Sequence, residues 1–227
     1  MSKNLKIFIA GLLLVATSLT YMLTRPSTPP AWDGSASVAK VEQSLAPLLA
    51  KAEQALASLP AKESAEIRAL LVSTGPGRYD DRAGAWVKTA TKDGLKPVAD
   101  YAMASLRAMA EAGDAEGMYF LHYVLVMRIA TADEGFQWLE KSAEGGYPHA
   151  VFEVTKKKLE GQPEKLRAAM ENFSTQTNTA GLQALYWFAY GYENGQYGLP
   201  KDAAKAADYR NRSKALGDKL LAADSAK

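Results

Sequence analysis

The chain has 227 residues, with 27 lysines and arginines against 25 aspartates and glutamates, and a formal net charge of +2. That balance excludes the concentrated basic face that nucleic-acid recognition requires, so no nucleic acid is expected as a partner. The absence of cysteine excludes a disulfide framework, a thiolate catalyst and a lipid-modified cysteine.

Lys3 and Lys6 precede residues 7–24, a run of 18 residues without a charge. As a helix this run spans roughly 27 Å, close to the hydrocarbon thickness of a bilayer. Two readings stay open. Residues 1–25 are an uncleaved transmembrane anchor, or they include a signal segment cleaved at the small residues Ala16, Thr17 and Ser18. Leu19, Tyr21, Met22 and Leu23 carry the apolar character past those small residues, which favours the anchor. In both cases the basic flank keeps the N-terminus cytoplasmic and sends the body outward. The expected address is the periplasm, with an inner-membrane tether or in soluble form after cleavage.

Residues 26–35 hold Pro26, Pro29 and Pro30 and read as an extended spacer. Between residues 36 and 57, Val38, Val41, Leu45, Leu48, Leu49, Ala52 and Leu56 recur at helical spacing, and Leu59-Pro60 ends the run. A second helix follows through Ile67, Leu70 and Leu71. Residues 36–112 therefore predict a helical region able to cap a stack of helix pairs. Residues 73–82 contain Gly75, Gly77 and Arg78, the ingredients of an anion nest. They lack the lysine followed by serine or threonine of a phosphate-binding loop. An interhelix loop is the expectation, with Asp80 or Asp81 capping the next helix through Trp86 and Val87.

Two helix-ending segments, Ala110-Glu111-Ala112-Gly113 and Ala143-Glu144-Gly145-Gly146, lie 33 residues apart. A period in the thirties is what two short helices and their turns require. Between them, Gly117, Tyr119, Leu121 and Leu125 fit a first helix, and Gly135, Trp138 and Ala143 a second. The next unit begins at Ala150 and Phe152. It then becomes Lys156-Lys157-Lys158, a solvated helix face or a contact for an acidic partner or lipid headgroup. Ala184, Tyr186, Phe188, Ala189 and Tyr192 mark a further first helix that stops at Gly195. Gly198 and Leu199 follow, Asp202 caps a second helix through Lys205, Ala206 and Tyr209, and Gly217 closes it.

Residues 113–217 carry a pattern that resembles the Sel1-like repeat, a relative of the tetratricopeptide repeat. Ala189 stands where that family has glycine, Tyr197 is one residue more than its loop, and Tyr209 takes the tryptophan place. The resemblance implies an all-α fold, a right-handed superhelical stack of antiparallel helix pairs over residues 113–227. First-helix positions line the inner face of such stacks. Here they are Phe120, Tyr123, Glu153, Lys156, Lys157, Trp187 and Tyr190, the expected partner-binding set. For Trp187 and Tyr190 the alternative is packing against a neighbouring helix.

Chemistry-bearing constellations are sparse. His122 and His149 are not at a ligand spacing, and Asp133 with Glu134 reads as a helix start. His122 is expected either packed between helices with one nitrogen satisfied or exposed beside the groove. No catalytic, cofactor or metal residue is assigned, and the expected class is a non-enzymatic protein-binding module. Exported Sel1-like proteins include immunity proteins against antibacterial toxins such as type VI secretion phospholipases. The resemblance therefore implies that role, with an envelope or signalling scaffold as the alternative.

Overall fold

The computed structural model describes residues 35–72 and 79–225, and these fold into helices without a strand among them. The expected anchor or signal segment, most of the proline spacer and the glycines of the 73–78 loop lie outside the described residues. No helix among the described residues is long and apolar enough to cross a membrane. The chain divides into two compact units, one up to Ala108 and one from Met109 onward.

In the first unit, α1 spans Ser35–Leu56, α2 Ala61–Leu71, α3 Tyr79–Thr89 and α4 begins at Lys96, ending at Glu111 across the division. The helical spacing read in the sequence places Leu45, Ala52 and Leu56 of α1 and Ile67 and Leu71 of α2 in the core. The third helix starts at Tyr79, so Asp80 and Asp81 stand in its first turn, where the exposed N–H groups favour negative charge. Arg82 belongs to that helix and not to the preceding loop. Its side chain is 2% exposed, paired with Glu42 of α1 and set 5.6 Å from the ring centre of Tyr101 on α4. Its Nε and Nη1 have no hydrogen-bond partner.

The second unit holds α5 (Ala115–Val126), a 3-10 turn (Ile129–Thr131), α6 (Ala132–Glu144), α7 (Pro148–Lys158), α8 (Pro163–Phe173), α9 (Thr179–Asn194) and α10 (Ala203–Ser225). Its helix packing is that of a helical solenoid. Helix α5 lies along α6, α7 contacts α6, and α9 contacts α7, α8 and α10. The α5–α6 pair is antiparallel, because Ala115 at the start of α5 meets Ser142 near the end of α6. The Ser142 hydroxyl donates to the Ala115 carbonyl at 2.5 Å. At the other end His122 Nδ1 donates to the Gly135 carbonyl at 2.9 Å.

Gly113 and Gly146 end their helices with φ of 97° and 80°. The two ends share one hydrogen-bond pattern. Gly113 N–H donates to Ala110 and Asp114 N–H to Met109, and Gly146 N–H donates to Ala143 and Tyr147 N–H to Ser142. These paired bonds satisfy carbonyls that a helix end otherwise leaves open. Gly217 behaves differently. Helix α10 continues through it to Ser225, it has no positive φ, and a Cβ there would meet nothing within 4 Å. The expectation that Gly217 closes a helix is thereby corrected: the good helix formers after it, Lys219, Leu220, Leu221 and two alanines, extend the last turns.

Candidate partner-docking face on α9 and its turn

Helix α9 starts under Asn178, whose side-chain oxygen accepts the Gly181 N–H at 3.0 Å. It ends at Gly195 in the left-handed region, φ 65°. Between these caps, Ala184, Trp187, Phe188 and Tyr192 turn into a core shared with Phe152 of α7 and Met170 and Phe173 of α8. The rings are layered: Phe188 stacks on Tyr209 of α10 with centroids 4.8 Å apart, and Tyr192 lies 5.8 Å from the same ring.

The turn after α9 folds back along the helix. Gly191 makes this possible, since a Cβ there would stand 2.7 Å from Leu199 Cδ1 and 3.2 Å from Tyr197 Cδ2. Leu199 is buried, Asp202 N–H donates to the Tyr192 carbonyl at 2.8 Å, and the Asp202 carboxylate accepts the Lys205 N–H at 2.9 Å, starting α10 as read from the sequence. Tyr197, in this turn, is the one non-glycine with positive φ among the described residues, at 60°. That conformation costs a bulky residue about 1 kcal/mol or more. Its ring lies on Trp187, centroids 4.7 Å apart and 14° from parallel, and 6.1 Å from Tyr190.

The consequence is a redistribution of the expected binding set. Trp187, 7% exposed under Tyr197, and Phe120, 1% exposed on α5, are core residues and offer no surface for docking. Tyr123 is half-buried, its hydroxyl has no partner, and burial raises its pKa. Glu153 and Lys156 pair with each other on α7 at 2.7 Å, and Lys157 Nζ sits 4.2 Å over the ring of Phe136. Tyr190 remains as an exposed aromatic, and two residues outside the expected set join it: Tyr186, one turn earlier on α9, and Tyr197. Tyr186 was hidden by its match to an aromatic repeat position. Tyr197 was visible in the sequence as a surplus loop residue, and surplus length at a turn is the signal that points to it.

Elsewhere in this unit His122 is packed with one nitrogen satisfied. Burial, the largest influence, pushes its pKa below the ordinary histidine value. Lys157 acts in the same direction, and the Gly135 bond and Glu153 act against it. A cleft of about 350 Å³ between α6 and α7 is lined by Val151 and Val154 together with Glu140, Glu144 and Lys158. No cluster of three or more histidine, aspartate or glutamate side chains suited to a metal occurs among the described residues. The chain matches no family model, no curated protein and no solved structure.

Proposed function

We propose that the protein is a non-enzymatic binding module that docks another protein through Tyr186, Tyr190 and Tyr197. The observation that carries this reading is their grouping: three tyrosines, each more than 40% exposed, stand on one helix and the turn folded against it. Tyrosine is enriched at interface cores because it buries a large rigid surface at small entropic cost and keeps a polar tip. The stacking of Tyr197 on the buried Trp187 holds the face in one arrangement before any partner arrives, which lowers the cost of binding.

In its most concrete form, the module is a periplasmic immunity protein that covers the working surface of an antibacterial toxin such as a type VI secretion phospholipase. That form, with the right-handed Sel1-like superhelix and the membrane tether, rests on the resemblance of residues 113–217 and on the apolar run at residues 7–24. A tether would concentrate the inhibitor where an envelope toxin acts.

The test is the double substitution Tyr186→Ser with Tyr190→Ser in the full chain. We expect unchanged helicity, normal accumulation, and loss of protection against the cognate toxin by at least about tenfold in dose. Lys201→Ala on the same turn keeps protection. A folded double variant that protects as well as the parent sinks the reading.

A further inference from the structure

Four aromatic side chains are more than a third exposed among the described residues: Phe136, Tyr186, Tyr190 and Tyr197. Phe136 is covered by the Lys157 ammonium, 4.2 Å from its ring centre. The same cover recurs over less exposed rings of this unit. Lys141 stands 4.2 Å from Trp138, Lys205 5.2 Å from Tyr192 and Arg212 4.8 Å from Tyr209. The three tyrosines of the docking face are the exception, because no lysine or arginine among the described residues stands over any of them.

An aromatic face carries negative quadrupolar charge and attracts a cation within about 6 Å of its centre. At Phe136, the other exposed ring among the described residues, the chain supplies the cation itself. The polar side chains at the end of α9 are turned to partners of this chain: Glu193 is paired with Arg210 of α10, and Asn194 Nδ2 donates to the Tyr190 carbonyl, while the Lys201 stem lies beside Gly195. Trp187 occupies one face of Tyr197, so a flat cation reaches the pair at the other face of Tyr197 and at Tyr190, the two rings being tilted 41° with centroids 6.1 Å apart.

We propose that this face receives an arginine-bearing surface of the partner protein, whose guanidinium takes the position over Tyr190 and Tyr197 that a lysine or arginine of this chain holds over its other exposed ring. The inference rests on the docking reading above and adds the chemistry of the partner. Arginine fits better than lysine because its planar, weakly hydrated group stacks on aromatic rings. A protein fits better than a small ammonium ion because the rings are nearly half exposed. A free cation there stays hydrated and gains little from the ring faces, whereas a partner's surface excludes the water.

The experiment labels the full-length protein with 3-fluorotyrosine, assigns the resonances through single tyrosine-to-phenylalanine variants, and titrates in a capped peptide of alternating glycine and arginine. The controls are the same peptide with citrulline in place of arginine, and tetramethylammonium chloride. The expected result is saturable shifts at Tyr190 and Tyr197, with the citrulline peptide binding about tenfold more weakly or worse. The pair Tyr190→Phe with Tyr197→Phe should bind within about twofold of the parent, since phenylalanine keeps the ring face, and Tyr190→Leu with Tyr197→Leu should lose about tenfold while keeping the same circular dichroism. Equal binding of the citrulline peptide, shifts confined to other tyrosines, or tetramethylammonium binding as tightly as the arginine peptide would each overturn the proposal.

A photoreactive residue at Tyr186 in cells separates this inference from the reading beneath it. A protein adduct that forms equally with the leucine and phenylalanine pairs overturns the arginine assignment and leaves protein docking intact. Arginine-peptide binding at the two tyrosines without any protein adduct overturns protein docking, and with it the assignment of a protein as occupant.

Discussion

The two helix pairs α5–α6 and α9–α10 solve the same packing problem by different means. In α5–α6 the helices approach closely over glycine: a Cβ on Gly145 would stand 2.7 Å from Ala115 Cβ, and one on Gly135 would stand 2.8 Å from Val126 Cγ1. Polar ties at each end, from Ser142 and from His122, lock the approach. In α9–α10 a layer of rings fills the interface, Phe188 and Tyr192 against Tyr209, and surplus aromatics spill onto the surface. A small-residue interface spends its aromatics inside or covers them, whereas the ring-filled pair has rings left over for a partner.

This contrast breaks most visibly at Phe188. Phe188→Ala removes the centre of the ring layer and should cost about 3–5 kcal/mol in urea unfolding. Phe136→Ala, at a partly exposed ring of the other pair, should cost less, about 1–2 kcal/mol. Similar losses for the two would mean that the α9–α10 interface does not depend on its ring layer. Next in size is Gly145→Ala, which must push α6 away from Ala115 and should cost about 1–3 kcal/mol. A stabilised variant would show that the close approach is not tight.

A smaller effect, of opposite sign, is expected at Gly217. It lies inside α10 with nothing within 4 Å of an added Cβ, so Gly217→Ala should raise stability by about 0.5–1 kcal/mol. A loss would restore a helix end at that residue.

The smallest effect is the titration of His122. Burial holds its folded pKa below the unfolded value of about 6.5, so the unfolded chain takes up a proton that the folded chain resists. Stability should therefore fall as pH drops through about 6.5 toward the folded pKa, and His122→Gln should flatten that slope. An imidazole resonance of His122 titrating above 6.5 would contradict this.

Much of the helical framework was legible. The spacing of Leu45, Ala52 and Leu56, the ends at Gly113, Gly146 and Gly195, and the cap at Asp202 all follow from short-range rules of helix periodicity and termination. The docking face was half legible. Helical periodicity gives the angle at which Tyr190 leaves α9, and the structure leaves it exposed. It cannot say that the following turn folds back over Trp187, because that depends on a glycine at 191 meeting a leucine eight residues later. Phe120 was misjudged for a related reason: on the apolar helix α5 nearly every direction meets a neighbour, and periodicity then loses its power to separate inside from outside. Gly217 shows the limit of residue identity alone, since glycine ends a helix only where the chain after it has somewhere else to go.

The joint between α6 and α7 has a consequence for insertions and deletions. Tyr147 is both the residue whose N–H closes the end of α6, on the Ser142 carbonyl, and the N-cap position of α7, so only Gly145 and Gly146 separate that shared residue from α6. An added residue there has no slack to enter and must shift α7 along or around its axis, carrying Phe152 out of the core. The turn between α9 and α10 is the opposite case: it runs through several residues between the two helices and takes Tyr197 into the left-handed region. Tolerance to length change should therefore concentrate between Gln196 and Pro200 and vanish at Tyr147, so this turn is the place where variants of different length remain folded.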